Sequence, residues 1–300
     1  MSRVHAIAVT PPWDATLTDG EHSLLLYAVT ATALSLLATL VRLRFASRES
    51  QGEYRTASLT ANAVVAIAFA SYVLVLAAVL AGYVPTAGGW APNDFAVFAW
   101  AFRYIDWTVT VPLLVFALFN VSAVASTERR TALRTVGMVL AALMIALGFL
   151  GAFVVADGRS FDALLLLGAL SSVCFLALYV LITGAARTTL PRLPQAARSP
   201  YRAATVLLLT VWFVYPIVYG VQGVTSGGTW ATTGAVALCV ADLVAKVGFG
   251  SLIHRTAVLR SRADEDASPS ADRRPRSPEA DSLYVEESSR YERDPDLRRD

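Results

Sequence analysis

Apolar residues dominate seven long stretches of the chain, each long enough to cross the hydrocarbon core of a bilayer as a helix. Backbone polar groups in lipid must be bonded within the segment or within a closed barrel, so stretches of this length predict helices. The pattern predicts an all-α membrane protein, a seven-transmembrane helix bundle. The predicted helices lie near residues 22–45, 59–83, 95–120, 132–156, 161–184, 201–222 and 229–254.

The two ends of the chain differ from the predicted bundle, which occupies residues 22–255. Residues 1–21 form a predicted extracellular N-terminal segment. In residues 256–300 Ser, Pro, Asp, Glu and Arg dominate, and such a segment cannot bury enough apolar surface to order itself. We predict a disordered cytoplasmic tail there, either solvated without a partner or docking a transducer or scaffold.

Arginine is distributed unevenly between the two sides of the predicted bundle. The first, third and fifth connections and the segment after the seventh helix carry most of the arginines outside the helices, whereas the opposite side offers only Arg3 and Arg159. Because cytoplasmic loops of membrane proteins are rich in Lys and Arg, we predict an extracellular N-terminus and a cytoplasmic C-terminus. The predicted location is the cell membrane, with several passes through the lipid bilayer.

Composition agrees with this class. The chain is 55% hydrophobic and 16% charged, with a net charge of +2, which is more apolar and less charged than a soluble domain. Cys174 and Cys239 both fall inside apolar stretches, which argues against a disulfide framework. Any basic surface consists of loop arginines, so we predict no nucleic-acid partner. The resemblance described below further implies a protein that is not an enzyme and holds no metal.

Four ionisable residues interrupt two of the predicted helices: Arg103 and Asp106 in the third, and Asp242 and Lys246 in the seventh. A charge at the centre of a membrane helix costs about 2.5–3.5 kcal/mol on insertion scales, so such residues are usually functional. Two positive and two negative charges form a neutral set, and the i,i+3 and i,i+4 spacings put each pair on one helix face. The spacing predicts one shared site.

Lys246 is the one lysine among 25 basic residues. Lysine differs from arginine in that its amine can lose a proton and form a Schiff base with an aldehyde. Both carboxylates lie on the extracellular side of Lys246 in the predicted orientation, so a proton leaving its nitrogen moves outward. An ion-pair network that only fixes helix packing, and snorkelling of Lys246 to the interface, are the alternatives.

The motifs resemble those of bacteriorhodopsin-like microbial rhodopsins over residues 22–255. Arg103-Tyr-Ile-Asp106-Trp107-Thr-Val-Thr110 resembles their third helix, and Asp242-Leu-Val-Ala-Lys246 resembles their seventh. Further matching stretches are Ala66-Ile-Ala-Phe-Ala-Ser-Tyr72, Met144-Ile-Ala-Leu-Gly148 and Trp212-Phe-Val-Tyr215-Pro216-Ile-Val-Tyr219.

The resemblance implies all-trans retinal bound to Lys246 as a protonated Schiff base. Asp106 would be the primary counterion and proton acceptor, with Thr110 bonded to it, while Asp242 would complete the counterion beside Arg103. Tyr72 and Tyr215 would bond to Asp242. The residues expected to line the polyene and its ring are Trp107, Met144, Trp212, Pro216 and Tyr219, with Leu167 and Leu170 expected from the fifth helix.

Two functions fit the resemblance: an outward light-driven proton pump, and a photosensory receptor that signals through a partner protein. The Asp106, Thr110 and Asp242 set favours the pump. Many pumps of the family carry an acid at the position of Ala117, so a slow return of the proton is expected, and Ala61 also makes that region apolar. Chloride, sodium and inward proton pumping are disfavoured, the first because Asp106 is an acid. Relatives commonly form trimers or pentamers, so a homo-oligomer is expected.

Overall fold

The computed structural model describes residues 9–46, 54–124 and 126–267. Seven spans within these residues are long and apolar enough to cross a membrane, which confirms the predicted bundle. The first five spans contain α1 (Asp19–Ala46), α2 (Tyr54–Gly82), α3 (Phe98–Asn120), α4 (Thr127–Phe149) and α5 (Phe161–Thr189). The sixth and seventh contain α6 (Gln195–Val211), α7 (Val214–Val221), α8 (Gly228–Leu243) and α9 (Phe249–Ala267).

The last two spans are each interrupted in the middle. α6 ends at Val211 and α7 begins at Val214. Pro216 has no backbone N–H, so the carbonyl of Trp212 loses its i→i−4 hydrogen bond, and the helix breaks just there. Between α8 and α9 the backbone is π-helical over Val244–Gly248. Both interruptions lie at residues that the sequence places in the site.

The seventh span is longer than predicted. α9 continues to Ala267, so the helix does not end near residue 255, and the predicted disordered segment 256–300 begins too early. Thr256 and Ala257 are fully buried, and Arg260 donates to the carbonyls of Val121 and Ser122 beyond the end of α3. These contacts order the helix despite its polar composition. Residues 268–300 lie outside the described residues, and the tail remains a prediction for them.

A β-hairpin between α2 and α3 marks one end of the bundle, which we call the hairpin end. Its strands, β1 (Tyr83–Thr86) and β2 (Gly89–Pro92), are antiparallel. Leu17, just before α1, exchanges backbone hydrogen bonds of 2.9 and 2.7 Å with Trp90 of β2. The opposite end, where α3 ends and α4 begins, we call the arginine end.

Polarity in the bundle is reversed relative to a soluble protein. Large aliphatic side chains such as Leu165 and Val180 face outward, with exposures of 61% and 70%. The charged side chains of Arg103, Lys246 and Asp242 are at most 2% exposed. Apolar outer faces around a polar interior match a multi-pass membrane protein, in which charged residues face the bundle interior.

Candidate functional site

Lys246 lies at the centre of the bundle, inside the π-helical segment Val244–Gly248. Its side chain is 2% exposed. A π-bulge widens the helix by one residue per turn and is often found at functional sites. In this chain the π-helical segment contains Lys246, the lysine that the sequence analysis identified as the candidate site residue.

Two carboxylates contact the Lys246 amine. Its Nζ lies 2.5 Å from Asp242 Oδ1, one helical turn away, and 2.7 Å from Asp106 Oδ2 on α3. The structure therefore brings these three predicted site residues together. Asp106 and Asp242 are both at most 2% exposed, so the three charges sit together out of contact with solvent.

The two carboxylates have different surroundings. Asp242 accepts hydrogen bonds from three neutral donors: Tyr72 Oη at 2.7 Å, Tyr215 Oη at 3.0 Å and Trp107 Nε1 at 3.1 Å. Asp106 contacts Lys246 through Oδ2, while its buried Oδ1 has no hydrogen-bond partner among the described residues. Asp242 is therefore satisfied as an anion, and Asp106 has room for a proton.

Thr110 lies one helical turn from Asp106 on α3. Its Oγ1 donates to the backbone carbonyl of Asp106 at 2.9 Å. A threonine hydroxyl in a helix commonly bonds the carbonyl four residues earlier. Thr110 therefore contacts Asp106 through this backbone hydrogen bond.

Arg103 completes the cluster on its hairpin side. The guanidinium donates to Tyr72 Oη at 2.8 Å and lies 4.0 Å from Asp242 Oδ2. It also contacts Cys239 Sγ at 3.5 Å. The sequence analysis missed Cys239, although its position three residues before Asp242 puts it on the same helix face. Arg103 and Lys246 offset the charges of the two carboxylates, so the buried set is formally neutral.

An apolar cavity of about 320 Å³ lies beside the cluster. This volume is at the lower end of the roughly 300–1,000 Å³ common for small-molecule sites. Trp107 and Tyr215 line the cavity and also donate to Asp242, so cavity and cluster share a wall. Lys246 and Tyr72 are not among the lining residues. The expected residues that do line it are Trp107, Met144, Trp212, Tyr215, Pro216 and Tyr219.

The fifth helix contributes a different face from the expected one. Leu167 and Leu170 do not line the cavity, and Leu170 is 46% exposed. The residues of α5 that line the cavity are Phe161, Leu164, Leu165, Gly168, Ala169, Ser171, Ser172 and Phe175. This helix is apolar on most of its circumference, so its sequence carries no periodic signal for the inner face.

The Tyr219 side chain packs against Gly168 of the fifth helix and reaches the backbone of that helix. Its hydroxyl donates to the Leu164 carbonyl at 3.1 Å. A Cβ at Gly168 would lie 2.5 Å from Tyr219 Cε1, which is too close for any side chain. Gly168 is a site residue that the sequence analysis did not find, since nothing in the linear sequence places it against Tyr219.

The arginine side of Lys246 is poor in acids along α3. Ala117 and Ala61 are 1% and 3% exposed, so both are buried in the bundle. Neither side chain can carry a proton. The site therefore has its titratable carboxylates on the hairpin side of Lys246.

A family model described as "Bacteriorhodopsin-like protein" matches residues 21–259, most of the chain. The chain belongs to the bacteriorhodopsin-like family. This family binds retinal as its chromophore and contains light-driven pumps and sensors, which are not enzymes.

Curated relatives include both functional types. Archaerhodopsin-2 of Halobacterium sp. (strain aus-2) is 34% identical over 54% of this chain and 57% of its own length. Sensory rhodopsin-2 of Haloarcula vallismortis is also 34% identical, over 49% of this chain and 59% of its own length. The alignments thus span little more than half of these relatives. Equal identity to an archaerhodopsin and to a sensory rhodopsin does not separate a pump from a sensor.

Solved structures agree over a larger part of the chain. The structure titled as xanthorhodopsin, a light-driven ion pump with dual chromophore, has a TM-score of 0.73 and 29% identity, covering 83% of this chain and 98% of its own. A thermophilic rhodopsin has the same TM-score and coverage at 26% identity. The rhodopsin bundle therefore extends over all seven spans.

The residues present fit the retinal chromophore of this family. A lysine amine is held by two carboxylates, the free Oδ1 of Asp106 leaves acceptor capacity beside it, and a mainly apolar cavity with aromatic walls adjoins the cluster. A long conjugated aldehyde needs both a linking amine and such walls.

Proposed function

We propose that the chain is a light-driven outward proton pump with all-trans retinal linked to the Lys246 nitrogen. The observation that carries the proposal is the unequal pair of carboxylates on that nitrogen: Asp242 is bonded to three neutral donors, and Asp106 has a free oxygen. One carboxylate can stay charged while the other takes a proton.

The bound chromophore would supply light absorption and an isomerisation that reorients the nitrogen–proton bond of Lys246. The chain's own residues then determine where the proton goes. Trp107, Trp212 and Tyr219 form aromatic walls that limit the motion of a long ligand. Asp106 Oδ2, at 2.7 Å from Nζ, is within hydrogen-bond reach for direct transfer.

Asp242 would remain an anion throughout this step. Protonating it would break hydrogen bonds from Tyr72, Tyr215 or Trp107, and a donor left unbonded in a buried site costs about 1–3 kcal/mol. Protonating Asp106 disturbs fewer hydrogen bonds from neutral donors than protonating Asp242 does. The geometry therefore favours transfer to Asp106.

The direction of transport follows from the placing of these groups along the bundle. Asp106, Asp242 and Arg103 all lie on the hairpin side of Lys246. The arginine distribution favours an extracellular hairpin end and a cytoplasmic arginine end. A proton passed from Lys246 to Asp106 would thus have moved outward.

Light-induced pH change in unbuffered cells tests the pump. Illuminated cells expressing the chain with retinal should acidify the medium, and a protonophore should abolish the signal. Asp106→Asn should lose the signal while keeping a pigment. Asp94→Asn is the matched control, because Asp94 is exposed at the hairpin end and outside the cluster. Normal pigment without acidification in the unmodified chain would contradict the proposal.

A photosensory receptor is the second candidate. The buried Ala117 on α3 cannot supply a proton, and a slow return of the proton suits a signalling state. A transducer bound to the cytoplasmic side would be the partner. Pigment formation with slow recovery and no acidification would favour this function over the pump.

A further inference from the structure

A buried polar pair joins α2 and α9 on the arginine side of Lys246. Ser58 Oγ lies 3.0 Å from His254 Nδ1, and the two residues are 2% and 8% exposed. Most buried hydroxyls in this bundle bond a carbonyl of their own helix, whereas this bond links side chains across two helices. Histidine is also the side chain that changes charge most readily near neutral pH.

The pair lies in line with Lys246 along the helix axis. His254 follows Lys246 by eight residues, a rise of about 12 Å. Gly250 lies midway, at i+4 from both. A Cβ on Gly250 would meet Ala61 Cβ at 3.7 Å, and Ala61 is three residues from Ser58 on the same face of α2. Between the lysine and the histidine the two helices thus present their smallest side chains.

Two arginines lie on the helices packed around the pair. On α9, the Arg260 guanidinium lies 4.6 Å from the Tyr54 ring and donates to the carbonyls of Val121 and Ser122 after α3. On α1, Arg42 donates to Ser251 Oγ at 2.6 Å. Histidine is then the group best suited to hold a transferable proton here.

We propose that His254, positioned by Ser58, passes the returning proton to the Lys246 nitrogen from the arginine end. This deepens the proposed function and rests on it, because a pump needs a route for that proton and Ala117 supplies none. His254 would serve as the proton donor that α3 lacks.

The proposed proton transfer uses both nitrogens of the His254 ring. In the tautomer in which Ser58 donates to Nδ1, the ring proton resides on Nε2. A proton from the cytoplasmic side binds Nδ1 as the Ser58 hydroxyl turns away, giving an imidazolium. The Nε2 proton then leaves for the Lys246 nitrogen, through water that enters between Gly250 and Ala61. One proton enters and one leaves, so the ring is again neutral but carries its proton on Nδ1, and exchange between the two tautomers resets it for the next cycle.

Flash spectroscopy of the retinal-loaded protein gives the first test. His254→Asn keeps an amide that can bond Ser58 but cannot relay a proton, so recovery of the Lys246 proton should slow by about 100-fold, the lower end of what a positioned proton donor contributes. Azide, a small proton carrier, should restore the rate. His22→Asn at the hairpin end is the matched control and should recover like the unmodified chain. An unchanged rate in His254→Asn would overturn the relay.

A second test uses the retinal-free protein and does not depend on pumping. Nitrogen NMR of ¹⁵N-labelled histidine should show the His254 ring gaining and losing a proton between about pH 5 and 8. Ser58→Ala should change the balance of its two tautomers. A ring fixed in one protonation state across that range would overturn the relay, even if both variants fold poorly with retinal.

The outcomes separate the relay from the pump. If the unmodified chain fails to acidify the medium, the pump fails, yet His254→Asn can still be judged by its recovery rate. If acidification is normal and recovery does not depend on His254, the relay alone fails.

Discussion

The two halves of the bundle on either side of Lys246 are built in opposite ways. On the hairpin side, Asp106, Asp242 and Arg103 form a dense cluster with bonds of 2.5 to 3.1 Å at its centre. On the arginine side, Ala117 and small neighbours lead to the Ser58–His254 pair. If the chain pumps protons as proposed, the first proton step is prepared in the resting protein, whereas the return step needs water and motion.

The largest effect should come from the lysine that both halves share. Lys246→Arg keeps a positive charge between the carboxylates, so the neutral cluster survives, but a guanidinium cannot form a Schiff base. We expect complete loss of the visible absorption band after addition of retinal.

Binding to membranes and far-ultraviolet circular dichroism would check that this variant folds. Lys246→Ala should lose the band as well, with a lower thermal stability because Asp242 and Asp106 then lack their shared cation. A normal visible band in Lys246→Arg would show that the linkage lies elsewhere.

The second effect compares the two carboxylates in the retinal-free protein. Asp242→Asn leaves Lys246 and Arg103 with one buried anion, and removing one partner of a buried ion pair costs about 3–5 kcal/mol. Asp106→Asn should cost less, because Asp106 has fewer hydrogen bonds to lose. Thermal unfolding of the two variants measures the difference, and equal losses would contradict the unequal roles.

The third effect tests how tightly the hairpin half is packed. Gly168→Ala would push a Cβ against the Tyr219 ring, and overpacking of this kind costs about 1–3 kcal/mol. Gly184→Ala on the same helix is the matched control, since its Cβ would meet nothing within 4 Å. We expect a lower unfolding temperature and a shifted absorption maximum for Gly168→Ala alone; similar behaviour of the two variants would refute the packing argument.

Much of this contrast could be predicted from the sequence, because a charge inside an apolar stretch is conspicuous. Lys246, Asp106 and Asp242 stand out in this way, and helical spacing suffices to bring them together. The hydrogen bonds that make the two carboxylates unequal depend on side chains from α2, α3 and α7, whose relative rotation no linear pattern encodes. Gly168 was missed for the same reason.

Other misses have a different physical cause. α5 is apolar on nearly all sides because lipid covers its outer face, so its inner face leaves no amphipathic signal. The extension of α9 to Ala267 was missed because polar residues there suggested disorder. Contacts of Arg260 with the chain after α3 stabilise that extension, and such tertiary bonds override composition.

The smallest effect would come from giving the arginine half an acid of its own. Ala117→Asp puts a carboxyl group three turns from Asp106, about 16 Å nearer the arginine end along α3. At neutral pH and with retinal bound, we expect recovery of the Lys246 proton to quicken by about tenfold, which corresponds to about 1.4 kcal/mol of barrier. In a His254→Asn background the gain should be larger, because the new acid would replace a lost relay and not merely assist it. Flash spectroscopy of the single and double variants measures both gains. An unchanged recovery rate in both variants would mean that opening of the bundle, and not the lack of a donor, limits the return of the proton. The two halves would then differ in how they move and not in which groups carry the proton.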